Sequence, residues 1–306
     1  MATVLAPPLP SPPISEDLRR GETWGLRWRT GFDRWIGYLL PLLFLVAIIP
    51  ILDLVYYISA KAVPTLTWSI ITSTADYQAQ DALGVPIETT FLFITLATCV
   101  ALILGLFGGV ATAEFLSERS AGWIRMSANL LAGMPSVVVG YFGYFMFCLY
   151  FGWGLSFLAG VFTLAFFMTP YIFRTADLAF SSVPRGIREA AYGSGAKPVQ
   201  YILKIGTPIA FPQILTGVFL AMAIGVGETA PIVLTVQPGI LVPTTFTSPA
   251  TYLTALIWTG YSSAPGVALT IAFQAAFIVV VVVLALNIAV RIVAARYRKR
   301  LEGLYQ

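Results

Sequence analysis

Histidine is absent from the 306 residues, and cysteine occurs only twice, as Cys99 and Cys148. The first absence excludes a catalytic imidazole and, with so little cysteine, a Cys/His metal site; no metal site is expected. Charge is scarce too. Asp, Glu, Lys and Arg make up 10% of the chain, whereas soluble globular domains carry about 25%. With 58% hydrophobic residues and a mean hydropathy of +0.83, this is a membrane protein. Also missing is any G-x-x-x-x-G-K-[ST] stretch, so the chain does not hydrolyse ATP through a phosphate-cradling loop of that kind.

What is present is a set of long apolar runs. A helix of about 20 apolar residues crosses a bilayer core about 30 Å thick, and six runs qualify: 35–60, 87–116, 126–150, 155–180, 211–236 and 266–293. The short alternating segments of a membrane barrel are not seen. The expected fold is all-α, a polytopic protein with a six-helix membrane domain over 34–295. Arg19, Arg20, Arg27, Arg29 and Arg34 precede the first run; Arg119 and Arg125 separate the second and third; Arg174, Arg185, Arg188, Lys197 and Lys204 surround the link from fourth to fifth. Arg291, Arg296, Arg298, Lys299 and Arg300 end the chain, and Lys61 alone falls on the opposite side. The positive-inside rule then puts both termini and the 181–209 loop in the cytoplasm. The net charge of +4 is a topology signal, with no nucleic-acid partner implied. The proline-rich start lacks a basic and an apolar segment and is expected to be a cytoplasmic tail over 1–33, not a signal peptide. Within it Trp24 and Trp28, followed by Trp35, suit a short helix on the inner membrane surface or an aromatic belt. Residues 296–306 form a basic cytoplasmic tail.

Small residues recur four apart in three runs: Ala101, Gly105, Gly109 and Ala113; Ala132, Ser136 and Gly140; Gly217, Ala221, Gly225 and Thr229. Such stripes let helices approach closely, because lipid supplies no hydrophobic force between them. Cys99 and Cys148 fit the same packing role. Glu228 does not. It lies in "AIGVGETAPIVLT", near the middle of the fifth run, where a carboxylate costs about 3 kcal/mol on insertion scales and marks a functional position. Its neighbour Thr229, Ser136, and Arg174 and Asp177 in the fourth run complete the translocation-path candidates.

The charged island "PRGIREAAYGSGAKPVQYILKIGTP" from Pro184 reads as two short helices. Pro184 and Pro198 open them, and Gly193 and Gly195 permit the left-handed backbone between. The corner around Ala190, Ala191 and Gly195 has low relief, suited to contact with another protein. Glu189-Ala190-Ala191, Gly195, Ile205 and Thr207-Pro208 stand at the spacing of E-A-A-x3-G-x9-I-x-L-P and so resemble the EAA motif of ABC-importer permeases, with Thr207 in place of leucine. "GMPSVVVGYFGYF" from Gly133, "FRTADLAFSSVPRGIREAA" from Phe173 and "GETAP" from Gly227 are similar to PstA-type permeases of the phosphate importer.

That resemblance implies the type I importer permease fold and a transport subunit, not an enzyme. Arg185, Arg188, Glu189, Ala190, Ala191, Gly195, Ile205 and Pro208 would couple to an ATPase. It further implies a PstC-like permease partner, two ABC ATPase copies that carry ATP and Mg, an external phosphate-binding protein, and the inner membrane of a prokaryote. This chain itself would bind no cofactor. Ile224 stands where the family usually has an arginine, so an anion path draws its arginine from elsewhere in this chain or from the partner, or the substrate is another oxyanion (molybdate, tungstate or sulfate). The rival classes are a proton-coupled carrier and an intramembrane enzyme using Glu228 or Asp177; neither accounts for the island.

Overall fold

The computed structural model describes residues 16–73, 82–239, 241–262 and 267–302, with side chains described over 36–73, 82–239, 241–262 and 268–296. It divides into two compact units, residues 1–56 and residues 57–306. The first unit is the body of helix α1 (Glu16–Ala62), whose stretch Ile36–Ala62 has a mean hydropathy of 2.5. The expected surface helix rests on Trp24, Trp28 and Trp35, whose side chains lie outside the described residues; the backbone there is one helix continuous with the first span.

The second unit follows with α2 (Trp68–Thr72), α3 (Gly84–Glu114), α4 (Glu118–Ala132), α5 (Ser136–Gly143, continued by a π-helical turn at Tyr144–Tyr150), α6 (Phe157–Ser181) and α7 (Arg185–Gly193). Next come α8 (Pro198–Tyr201), a π-helical stretch Ile202–Gly206, α9 (Thr207–Gly227), α10 (Ala230–Val233), α11 (Leu253–Ser262) and α12 (Val267–Glu302). No strand occurs among the described residues. By length and apolar character five helices can cross a membrane, and the bent pair α4 and α5 makes a sixth if it counts as one span.

The central helix is α6, and two-thirds of its apolar window is buried (67%) although its mean hydropathy is only 1.5. It packs along α3 through the stripe the sequence displays: a side chain at Gly109 would stand 2.6 Å from the Ala176 Cβ and 2.8 Å from the Asp177 backbone nitrogen. Only glycine allows that approach. Phe93, Leu164, Met168, Ile172, Ala221 and Val226 from α3, α6 and α9 fill the core. In lipid such packing is held by dispersion and close fit. A second cluster joins α11 to α12 through Leu253, Leu256, Ile271 and Ala275.

Three expectations need correction. The run 126–150 is not one helix: α4 and α5 meet at 100°, because Pro135 offers no backbone donor and pushes Met134 out of the helical region. The run 211–236 is also not one helix. It begins earlier, as α8 and α9 form a continuous span over Pro198–Gly227, and it ends at Gly227 because the Pro231 ring would clash with the Gly227 carbonyl one turn back. The island's second piece is therefore the first part of a span and not a separate short helix. Finally, Gly195 alone at the corner takes a positive φ, +80°, while Gly193 ends α7 as an ordinary helical residue.

Candidate functional site

Two regions carry the charged and polar side chains singled out in the sequence. At one end of the bundle, α7 is fastened to the end of α3. The Arg188 guanidinium donates to Glu114 Oε1 at 2.7 Å, to the Tyr201 hydroxyl at 3.4 Å and to the Phe180 carbonyl at 3.4 Å. Tyr201 is fully buried, and the Tyr192 ring lies 5.4 Å from its ring. The Glu114 side chain is only 3% exposed. A buried carboxylate with a charge-assisted partner and a phenol is a rigid joint. Arg188 thus turns inward and holds the loop. Its partner is Glu114, not the neighbouring Glu189 that sequence proximity suggests.

The outward face of the corner is left open. Glu189, Ala190, Gly195 and Pro208 are exposed, Ile205 is half-buried and Ala191 is buried against the bundle. Tyr192, Val199 and Leu203 add exposed apolar surface. No neighbouring atom lies within 4 Å of a side chain placed at Gly195.

One turn deeper a second joint appears. Arg125 of α4 grips Asp177 of α6 with both arms, Nε to Oδ2 at 2.8 Å and Nη2 to Oδ1 at 2.9 Å, and Glu118 stands 3.8 Å from the same guanidinium. Asp177 is 5% exposed, so its carboxylate is committed to this fork. Between these joints lies a cavity of about 510 Å³ lined by Arg125, Arg174, Arg185, Arg188, Asn129 and Ser181 among others. Glu114 and Arg125 are the residues that sequence reading missed as site members. The available signal was an ionisable residue at each end of an apolar run, which read only as topology.

The second region is the break after α9. Glu228 has extended backbone, φ −73° and ψ 133°. Its backbone N–H donates to the Gly225 carbonyl at 3.2 Å, and its carbonyl accepts from the Thr254 hydroxyl at 2.9 Å. Both backbone groups of Glu228 at the break are therefore satisfied inside the protein, as lipid requires. The half-buried Glu228 side chain meets the Ser136 hydroxyl at the start of α5. No cation pairs with it among the described residues. Thr229, with Thr254, Val137, Tyr141, Trp258 and Tyr261, lines an apolar cavity of about 510 Å³ beside it. Ile224 packs against the core. The structure thus joins Glu228, Ser136 and Thr229, and it separates them from Arg174 and Asp177, which belong to the other region. A discontinuous membrane helix with its polar group at the break is an arrangement transporters use to hold an ion.

Residues 101–299 match the family of binding-protein-dependent transport system inner membrane components. The phosphate transport system permease protein PstA 2 of Mycobacterium bovis is 32% identical over 257 residues, 83% of this chain and 85% of that protein. The probable phosphate transport system permease protein PstA of Methanocaldococcus jannaschii is 28% identical over 261 residues, covering 85% and 92%. Among solved structures, an inward-facing form of the MetNI methionine ABC transporter aligns with 71% of this chain and 98% of its own, at 18% identity and a TM-score of 0.57, a likeness of fold.

Proposed function

Since the chain belongs to the PstA-like binding-protein-dependent transport system inner membrane components, we propose that it is the permease subunit of an ATP-driven importer of inorganic phosphate. The observation that carries the reading is the island: its exposed corner of Glu189, Ala190 and Gly195 stands on a base locked to the bundle by Arg188, Glu114 and Tyr201. An ATPase seated on that corner moves α7, and the joints pass the motion to α3 and α6 with little slack. Access then alternates between the two sides of the membrane.

In this reading a PstC-like permease completes the path, two ATPase copies bind ATP and Mg, and an external binding protein delivers the substrate. Both termini face the cytoplasm. Glu228 favours phosphate over sulfate, molybdate or tungstate for a chemical reason. A carboxylate accepts a hydrogen bond from the P–OH of a partly protonated phosphate, whereas a fully deprotonated oxyanion meets only repulsion. The missing arginine at Ile224 leaves the positive charge of the path to the partner permease.

The test is ATP-driven uptake of radiolabelled phosphate by proteoliposomes holding this chain with its permease partner, ATPase and binding protein. Uptake abolished by omitting this chain, and resistant to excess sulfate and molybdate, is the expected result. Uptake of sulfate or molybdate in preference to phosphate would replace the substrate, and uptake without any ATPase would overturn the reading.

A further inference from the structure

The cavity between α4, α6 and α7 holds more positive charge than its acids neutralise. Of the four arginines lining it, Arg125 is spent on Asp177 and Arg188 on Glu114. Glu118, the remaining acid, lies beside Arg125 with its side chain 99% exposed. Arg174 and Arg185 have no ion-pair partner among the described residues. They come from different elements: Arg174 stands seven residues before the end of α6 and Arg185 opens α7. An arginine after the last turn of a span needs no account beyond the positive-inside rule. One about 10 Å back along the helix is exposed, as Arg185 is, yet lies within the apolar length of the span, where a guanidinium without an acid beside it calls for a partner.

We propose that Arg174 and Arg185 together bind a phosphate group in this cavity. A guanidinium fork matches two phosphate oxygens, and the Asn129 amide and Ser181 hydroxyl in the same lining can donate to the others. The bound group bridges α6 and α7, so its occupancy stiffens the coupling loop against the bundle. The proposal rests on the importer reading in one respect, that this end faces the cytoplasm. Two sources offer the chemistry there: inorganic phosphate arriving as the transported product, and the phosphodiester of an anionic lipid in the inner leaflet.

The assembled importer in nanodiscs permits a residue-resolved test, with phenylglyoxal modification of each arginine followed by mass spectrometry. One arm uses phosphatidylcholine discs with and without inorganic phosphate; the other replaces part of the lipid with phosphatidylglycerol and omits phosphate. Modification of Arg174 and Arg185 should slow about tenfold in at least one arm, the loss expected when a charge-assisted contact of about 1.4 kcal/mol forms, while Arg119, equally exposed but outside the cavity, is unaffected. Slowing in the first arm identifies free phosphate, and slowing in the second identifies the lipid. Arg174→Gln should remove the protection of Arg185, since one group is shared. No slowing in either arm, slowing of Arg119 to the same degree, or full protection of Arg185 in Arg174→Gln would overturn the site. The readout needs no uptake, so failure of phosphate import and failure of this site are separate results.

Discussion

The carboxylates at the α7 end of the bundle and the carboxylate at the helix break are all withdrawn from bulk water, yet they are treated oppositely. Asp177 and Glu114 each meet a guanidinium at 2.7 to 2.9 Å, whereas Glu228 meets a serine hydroxyl and no cation among the described residues. Two kinds of buried charge follow. One that has a fixed partner ties elements together and has no further capacity; one that lacks a partner keeps its charge for something that comes and goes. The difference also marks the mechanics. Rigid joints stand beside the proposed ATPase-docking corner, and the uncommitted group stands where the helix has been opened and the Glu228 carbonyl accepts from Thr254.

Three substitutions probe the paired side, beginning with the greatest loss. Arg188→Ala leaves Glu114, 3% exposed, without its cation, and should destabilise the protein by about 3 to 5 kcal/mol. Its unfolding midpoint in detergent falls, and Arg188→Ala combined with Glu114→Ala recovers most of it; no recovery would mean that the two do not act as a pair. Asp177→Asn is milder, about 1 to 2 kcal/mol, because Arg125 is 35% exposed and regains water. Uptake per inserted molecule should stay near normal; a selective loss of uptake would return Asp177 to the path. Gly195→Leu has the smallest effect on stability, about 1 kcal/mol for a left-handed residue with a side chain, since nothing crowds the site. Co-purification of the ATPase should nonetheless drop, and Gly195→Asn, which tolerates φ of +80°, should retain it. Equal ATPase recovery with Gly195→Leu would free the corner from any docking role.

The sequence allowed the fold to be read to the level of apolar runs, because 20 apolar residues in lipid have few alternatives to a helix. The glycine stripe at Gly105 and Gly109 likewise announced a close helix approach, while the partner, α6, became visible only in the fold. The breaks were harder to read. Pro135 and Pro231 were both visible, but proline is tolerated inside membrane helices, as Pro170 is in α6, and a local pattern does not say which proline breaks its helix. Helix α11 was missed because ten residues are too few to span a bilayer. At the site, Glu228 stood out by its depth alone. Arg125 with Asp177, 52 residues apart, and Glu114 with Arg188, 74 apart, required the fold before they could be matched.

The central claim is that Glu228 is held free of a cation in order to serve transport. Its most direct test is Glu228→Gln in the reconstituted importer, which keeps the shape and the hydrogen bond to Ser136 while removing the charge. Insertion, thermal stability and ATPase association should match the unaltered protein, and phosphate uptake should fall by about tenfold or more, the loss expected when a charged hydrogen-bond acceptor of about 1.5 kcal/mol is neutralised. Near-normal uptake would contradict the account and make Glu228 a packing residue of the break.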